Sequence, residues 1–218
     1  MTLVKICGLT RAQDVDSAIA MGAWAIGFVI TESPRQAAPS LVAKLAARVP
    51  PGVLSVAVFT VEKPFEMAKI VSRTGVRAVQ LSAGAFGPNV AAVRAAFSTA
   101  GVPRVALIAA RDTRGAEKAD FVLLDSRVVR RDSPVFGGTG QPLDWQGLAA
   151  SRNHLPRPER LVLAGGLNPT NARMAIRALR PLAVDLSSGI EKSPGVKDAE
   201  KMRRLFAAVR SADLDSEE

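Results

Sequence analysis

Eight short apolar runs, separated by segments with helical spacing, limit the fold of this chain more than any other feature. The runs are nearly continuous in apolar or β-branched residues, which is typical of parallel strands covered on both faces. In chain order they are LVKIC (3–7), WAIGFVI (24–30), LSVAVF (54–59), AVQL (78–81), RVALIA (104–109), FVLLD (121–125), RLVLA (160–164) and AVDLS (183–187). The pattern predicts an α/β protein built from repeated strand–helix units.

Helices are predicted between these strands, because apolar residues recur there at helical spacing. Thr10 and Gln13 fit a capping box at the start of the first helix, and Asn168 or Thr170 can cap the helix after the seventh strand. Residues 111–120 and 144–153 are weaker, since the former hold barely one turn and the latter are short. The well-supported helices span residues 11–21, 39–49, 63–74, 88–100, 168–179 and 197–210.

Eight strand–helix units in a chain of 218 residues favour a (β/α)₈ TIM barrel, with the fifth helix short or missing. No linker or change in composition divides the chain, so we predict one domain over residues 1–210. The acidic tail, residues 211–218, is expected to be disordered. The rival fold is an open doubly wound sheet, but the GxGxxG turn of dinucleotide-binding members is absent.

Composition excludes several classes of site. The single cysteine, Cys7, allows no internal disulfide and no multi-cysteine metal site, and the single histidine, His154, allows no His-rich site. His154 lies in a polar, proline-flanked stretch, where we expect a surface loop without a chemical role. The N-terminus lacks the pattern of a signal peptide, and no apolar run approaches the ~18 residues of a membrane helix. We therefore expect a soluble cytoplasmic protein without a membrane partner.

The net charge of +9 raises the question of a nucleic-acid partner. The arginines are spread along the whole chain, and no basic run is interleaved with aromatic residues. We therefore predict no nucleic-acid binding. A positive field that attracts a small anionic substrate fits the charge, and so does a merely solvated, arginine-rich surface.

In a TIM barrel the site is built at the carboxyl ends of the strands. Cys7 ends the first predicted strand, Asp125 ends the sixth, and Arg35 follows the second. Glycine-rich loops follow the last three strands, at GGTG (137–140), AGGLNPTN (164–171) and SSGIE (187–191). Such loops bring backbone N–H groups close to an anion, and two at successive strand ends predict a phosphate site.

Cys7 and Asp125 can face each other across the barrel mouth, where a thiol and a carboxyl group can act as base and acid. A positive neighbour or a helix N-terminus lowers a thiol pKa, and the first helix begins close to Cys7. The alternative is that Cys7 is a small buried packing residue. On the residues alone, both interpretations stand.

The motifs together resemble the phosphoribosylanthranilate isomerase family of tryptophan biosynthesis. They are KICGLT, AIGFV followed by SPR, VQL, LLDS followed by GGTG and DW, LAGGLNPTN, and VDLSSGIEKSPGVKDAEK. They occur in the family's order from residue 4 to about residue 206. The resemblance implies a cofactor-free barrel that converts N-(5′-phosphoribosyl)anthranilate to 1-(2-carboxyphenylamino)-1-deoxyribulose 5-phosphate by an Amadori rearrangement.

The resemblance also implies roles for particular residues. Cys7 corresponds to the family's general base, Asp125 to its general acid, and Arg35 to the arginine that holds the anthranilate carboxylate. Asp185 resembles the aspartate that faces the sugar. The phosphate loops map onto Gly165, Gly166, Ser188 and Gly189, with Gly138, Thr139 and Gly140 nearby.

One position departs from the family pattern: Ser82 stands where VQLHG has histidine. Two alternatives accompany the isomerase. One is another phosphate-binding barrel isomerase of histidine or tryptophan biosynthesis, and the other is a barrel that binds a sugar phosphate without turnover. The expected ligand in each case is a small anion, no metal is required, and the protein is a monomer or a homodimer.

Overall fold

The strands of this chain close into a parallel barrel. The computed structural model describes residues 1–83, 86–125, 145–150 and 155–214. Each strand pairs with the next along the chain, and β1 also pairs with β8, which closes the barrel. The strands are β1 (Leu3–Cys7), β2 (Ala25–Val29), β3 (Leu54–Phe59), β4 (Ala78–Leu81), β5 (Ala106–Ala110), β6 (Phe121–Leu124), β7 (Leu161–Leu163) and β8 (Ala183–Leu186).

Helices cover the outside of the barrel between successive strands. The connection from β5 to β6 holds only a 3₁₀ turn, Ala116–Lys118, so the prediction of a short or missing fifth helix is confirmed. The predicted TIM barrel is likewise confirmed. The helices are α1 (Ala12–Ala20), α2 (Pro39–Ala46), α3 (Pro64–Thr74), α4 (Val90–Thr99), α5 (Trp145–Ala150), α6 (Ala172–Leu179) and α7 (Ala199–Leu214).

A short hairpin is added after the eighth strand. Strands β9 (Glu191–Ser193) and β10 (Val196–Lys197) pair antiparallel, with the turn at Gly195 between them. The sequence pattern predicted only a loop here, because two strands of three and two residues leave no measurable periodicity. The hairpin matters because it carries charged side chains back toward the first strand.

The predicted capping box at Thr10 and Gln13 is wrong. The residue that precedes α1 is Arg11, and its side chain makes no cap hydrogen bond. The Thr10 hydroxyl instead donates to the carbonyl of Gly195 at 2.7 Å. A partner 185 residues away in the chain therefore replaces the local cap, which spacing alone does not reveal.

The last helix runs to Leu214, so four of the residues that the sequence assigned to a disordered tail are helical. Residues 215–218 lie outside the described part of the chain. None of the helices within the described residues is long and apolar enough to cross a membrane.

The barrel interior contains a packed apolar layer. Side chains alternate along each strand, and the inward set forms a cluster separate from the larger one between strands and helices. The inner cluster comprises Ala25, Val56, Ala78, Ile108, Leu123, Val162, Ala164 and Ala183. Lys5, Gln80 and Asp185 are also buried on barrel strands, with Lys5 in the middle of β1 and level with Ala25 of the inner cluster. Polar side chains therefore enter the barrel interior beside this apolar layer.

A substitution at Ile108 tests the packing of the barrel interior, because this residue is fully buried in the inner cluster. We expect Ile108→Ala to lower the free energy of unfolding by about 2–5 kcal/mol, from lost apolar contact and the cavity left behind. Urea denaturation measures the change. The control is Val61→Ala, at a residue that is 63% exposed, where we expect a change within about 0.5 kcal/mol. Equal effects of the two substitutions would contradict the packed interior.

Candidate active site

Cys7 lies at the carboxyl end of β1 with its thiol against β2. It is 8% exposed and packs with Val29 and Val58 at the top of the barrel interior. Its neighbour in register is Gly27, and a Cβ atom there would lie 2.8 Å from the Cys7 Sγ. Glycine at position 27 therefore makes room for the thiol. Cys7 thus ends β1, as the sequence predicted.

Lys5 lies below Cys7, two residues earlier on the same strand. Its side chain is fully buried, and its Nζ donates to Oδ2 of Asp185 on β8 at 2.7 Å. The other oxygen of Asp185, Oδ1, is also buried, and no described residue donates a hydrogen bond to it. Asp185 therefore carries one paired oxygen and one unpaired acceptor.

Burial raises the pKa of the Cys7 thiol above its ordinary value, because desolvation disfavours the thiolate. The ammonium of Lys5 opposes this rise in pKa, Asp185 adds to it, and Lys197 opposes it. The sequence suggested a lowered pKa from a helix N-terminus or a positive neighbour. A positive neighbour is present, but the burial that the tertiary fold imposes is the larger effect.

Arg35, in the loop after β2, is held by a carboxylate from the added hairpin. Its Nε donates to Oε1 and Oε2 of Glu191 at 2.9 and 3.1 Å, and its Nη2 donates to Oε2 at 2.7 Å. Lys197 donates from Nζ to the same carboxylate at 2.7 Å. These contacts engage Nε and Nη2 and fix the guanidinium on the edge that faces Glu191.

The pKa values in this cluster follow from these contacts. Burial by itself raises the pKa of Glu191, but hydrogen bonds from Arg35 and Lys197 lower it below the ordinary value. The Glu191 hydrogen bond raises the pKa of Arg35. Burial lowers the pKa of Lys197 despite its contact with Glu191. The cluster therefore holds a carboxylate between two cations.

Sequence reasoning missed Lys5, Glu191 and Lys197 as site residues, although all three lie inside the quoted motifs. A signal was available for Lys5, because a lysine inside an apolar strand must be buried or break the strand's pattern. Glu191 and Lys197 gave no comparable signal. They reach the site through the β9–β10 hairpin, which is joined to the loop after β1 by the Thr10–Gly195 hydrogen bond and to Arg35 by Glu191.

The loops after β7 and β8 touch through their backbones. A Cβ atom on Gly189 would lie 2.0 Å from the carbonyl oxygen of Leu167, so only glycine fits this contact. Gly165 and Gly166 both have positive φ, 84° and 65°. Ser188, in the loop after β8, is exposed. The structure thus brings together the two glycine loops that the sequence selected.

Asn168 and Asn171 stabilise the turn that leads into α6. The Asn168 Oδ1 accepts from the backbone N–H of Thr170 at 2.8 Å, and the Asn168 N–H donates to Asn171 Oδ1 at 2.8 Å. The residue before the helix is Asn171, and its side chain makes no cap hydrogen bond to the helix. The predicted Asn168 interaction therefore exists, but it closes the turn before the helix rather than capping the helix itself.

Asp125 follows β6 and is half-buried. It shares the carboxyl end of the barrel with Cys7, because all eight barrel strands are parallel. Gly138, Thr139 and Gly140 lie outside the described residues, so their place in the site stays a prediction.

Ser82, the position that departs from the family pattern, follows β4. Its hydroxyl accepts a hydrogen bond from Nε2 of Gln80 at 2.9 Å. Gln80 is buried, and its Oε1 has no hydrogen-bond partner among the described residues.

Within the described part of the chain, no group of three or more His, Cys, Asp or Glu side chains is arranged to hold a metal ion.

Comparison with known proteins decides the family. A family model described as N-(5′-phosphoribosyl)anthranilate isomerase matches residues 4–208. The chain is 41% identical to the N-(5′-phosphoribosyl)anthranilate isomerase of Bordetella parapertussis, over 97% of each chain. The chain belongs to the phosphoribosylanthranilate isomerase family. The isomerase of Herminiimonas arsenicoxydans is 39% identical, over 97% of this chain and 94% of that one.

Solved structures of phosphoribosylanthranilate isomerases share the fold. The enzyme from Thermotoga maritima has a TM-score of 0.77 and 33% identity, over 97% of this chain and all of that one. A phosphoribosylanthranilate isomerase in complex with reduced 1-(o-carboxyphenylamino)-1-deoxyribulose 5-phosphate has a TM-score of 0.74 and 31% identity, over 97% and 100% of the two chains. The likeness extends over the whole barrel.

The contact between the two glycine loops gives a stability test. We expect Gly189→Ala to lower the free energy of unfolding by about 1–3 kcal/mol, because the new methyl group meets a backbone oxygen that cannot rotate away. Gly52→Ala is the matched control, since a Cβ there meets nothing within 4 Å. We expect that control to leave stability unchanged or raise it by up to about 1 kcal/mol. Urea denaturation of both variants measures the difference, and a neutral Gly189→Ala would rule out the close contact.

Proposed function

We propose that this protein catalyses the isomerisation of N-(5′-phosphoribosyl)anthranilate to 1-(2-carboxyphenylamino)-1-deoxyribulose 5-phosphate in tryptophan biosynthesis. Family membership supports the reaction. The observation that carries the proposal is the position of Cys7, Asp125 and Arg35. They follow three different strands at the same end of one closed barrel.

The phosphate of the substrate is assigned to the loops after β7 and β8. Gly165 and Gly166 both have positive φ and carry no side chain, which suits close approach of an anion to the backbone N–H groups, while Gly189 lets the two loops pack together. Ser188 adds an exposed hydroxyl donor. By the family resemblance, residues 138–140 contribute a third loop. Many TIM barrels bind phosphate after their last two strands, which supports the assignment.

The anthranilate carboxylate is assigned to Arg35. Glu191 occupies Nε and one side of Nη2, which leaves Nη1 directed away from the Glu191 contact. A guanidinium held on one edge loses little freedom when its other edge binds a carboxylate. The unpaired Oδ1 of Asp185 suits a sugar hydroxyl, because a buried acceptor without a donor costs free energy until it is satisfied.

The proposed chemistry needs one acid and one base. Asp125 donates a proton to the furanose ring oxygen, the C1′–O bond breaks, and an iminium forms between C1′ and the anthranilate nitrogen. The Cys7 thiolate then removes the proton from C2′, and the iminium accepts the electron pair to give an enolamine. Tautomerisation yields the C2′ ketone. The iminium acidifies the C2′ proton, so general acid–base catalysis and positioning carry the reaction without a cofactor.

Two alternatives remain distinguishable by experiment. Another barrel isomerase of histidine or tryptophan biosynthesis would turn over a different sugar phosphate. A barrel that binds without turnover would explain the Ser82 departure, but it would have no use for Cys7 at the mouth. We further propose a cytoplasmic enzyme that is monomeric or homodimeric. The similar structures include monomers generated from the dimeric isomerase of Thermotoga maritima, so either state fits the fold.

The deciding experiment is an isomerase assay on the wild-type protein, followed by the loss of anthranilate-type fluorescence. We expect Cys7→Ser and Asp125→Asn each to lower kcat by at least ~10²-fold, since each removes a proton-transfer group. Circular dichroism should show both variants folded. Near-normal turnover in either variant would remove that residue from the mechanism, and binding without turnover by the wild type would favour the non-catalytic alternative.

A second prediction concerns Arg35 and Glu191. We expect Arg35→Ala to raise KM by at least about tenfold with a smaller effect on kcat, because a bidentate charge-assisted contact is lost. Glu191→Gln should raise KM less, because it frees the guanidinium without deleting it. In the double variant, Glu191→Gln should add little to Arg35→Ala, since both act through one contact.

The control for this pair is Asp16→Asn, which breaks the bidentate contact of Arg48 on the exposed surface. We expect its KM to equal that of the wild type. Additive effects of Arg35→Ala and Glu191→Gln would show that Glu191 does not act through Arg35.

A further inference from the structure

Packing alone does not explain why the charged side chain of Lys5 is buried. Its side chain has no exposure, and it is among the largest fully buried side chains of the described residues. Removing an ammonium group from water is costly, and the attraction within one buried ion pair seldom exceeds that cost. An apolar side chain on β1 would fill the same space without the penalty. The charge itself therefore needs an explanation.

The geometry supplies two partners for this charge. Lys5 is level with Asp185 in the register of β1 and β8, and their side chains meet at 2.7 Å. Residues two apart on a strand project to the same face, so Lys5 and Cys7 both point into the barrel, with the ammonium below the thiol. Lys5 thus stands between a carboxylate and the only cysteine of the chain.

We propose that Lys5 is a positioning residue for catalysis, whose ammonium is shared between Asp185 and the thiolate form of Cys7 and makes that thiolate attainable inside the barrel. The inference rests on the proposed function, in which Cys7 is the base. Asp185 has the opposite influence on the thiol, because its negative charge competes for the ammonium and repels a thiolate. The Lys5–Asp185 pair therefore adjusts how readily Cys7 ionises, against the larger effect of burial.

The charges balance through the reaction. Cys7 loses its proton to solvent before turnover, and the resulting thiolate faces the Lys5 ammonium. When the thiolate takes the C2′ proton of the substrate, it becomes a neutral thiol and the ammonium is left to Asp185. Lys5 stays protonated throughout, in line with the raised pKa that Asp185 and Cys7 produce despite its burial. Lys5 transfers no proton itself.

The other charged groups near Cys7 are already bound to partners. Lys197 is held by Glu191 and by the carbonyl and hydroxyl of Ser187. Arg35 is held by Glu191. The described residues that pack on Cys7 from β2 and β3 carry no charge, being Gly27, Val29 and Val58. Lys5 is therefore the cation near Cys7 whose pairing can be changed by a single substitution on β8, at Asp185.

The chain is unusually suited to a direct test, because it has one cysteine and no tyrosine. The thiolate absorbance band then reports Cys7 without interference from tyrosinate, and iodoacetamide labels one thiol only. The rate of alkylation at a fixed pH below the midpoint is proportional to the fraction of thiolate, so a change of one pKa unit changes it about tenfold.

The informative comparison is between Asp185→Asn and the double variant Lys5→Met/Asp185→Asn. We expect Asp185→Asn to alkylate faster than the wild type, because Lys5 then serves Cys7 alone. The double variant should alkylate at least about tenfold more slowly than Asp185→Asn, because the cation is gone. The double variant also leaves no unpaired buried charge, so folding is preserved better than in Lys5→Met alone. Thermal melting verifies that each variant is folded.

Lys69→Met is the matched control, since it deletes a lysine that pairs with Glu66 on the exposed surface. We expect it to leave the alkylation rate unchanged. Equal rates for Asp185→Asn and the double variant would overturn the role of Lys5. During turnover, kcat should rise with pH as Cys7 ionises. In Asp185→Asn we expect this rise at a lower pH than in the wild type, whatever the change in the maximal kcat.

The two proposals fail separately. The thiol measurements need no substrate, so they test Lys5 even if the wild-type protein lacks isomerase activity. Activity with unchanged thiol ionisation in the variants would retain the isomerase and reject the role of Lys5.

Discussion

The ion pair between Lys5 and Asp185 joins the first and last strands at the seam where the barrel closes. It links residues 180 positions apart in the chain, with both side chains out of water. Inner apolar side chains fill the barrel around this seam, so the pair is surrounded by low-dielectric material in which its charges are felt strongly. The thiol of Cys7 ends the same strand and lies within that field.

A second cluster of charged side chains links the loop after β2 to the added hairpin at the barrel mouth. Glu191 connects Arg35, from the loop after β2, with Lys197 on the added hairpin. Glycines allow these elements to approach: Gly27 gives room to the thiol, and a Cβ on Gly8 would lie 2.7 Å from Arg35 Cδ. Small residues and opposite charges thus act together at the barrel mouth. They bring a thiol, a guanidinium and two backbone loops to one opening, where the described charges of Lys5, Asp185, Arg35, Glu191 and Lys197 are paired.

Much of the fold was predictable from local pattern. Strands β1, β3 and β4 begin and end where the apolar runs do, because buried parallel strands are continuous in apolar residues. Helix starts were less predictable. Thr10 turns away from α1 to reach Gly195, and a Thr side chain has no local feature that distinguishes the two hydrogen bonds. Cys7, Arg35 and the two glycine loops were predictable because a barrel gathers its strand ends on one face.

The order of strands and helices, the residues at the strand ends and the family motifs can be read from the sequence, since these depend on neighbours in the chain. The three-dimensional fold sets the partners of the charged groups: Asp185 for Lys5, and Glu191 for both Arg35 and Lys197. It also decided the direction in which the Cys7 pKa moves, which is upward with burial. Desolvation and Coulomb interactions depend on distances in space, and neither is set by spacing along the chain.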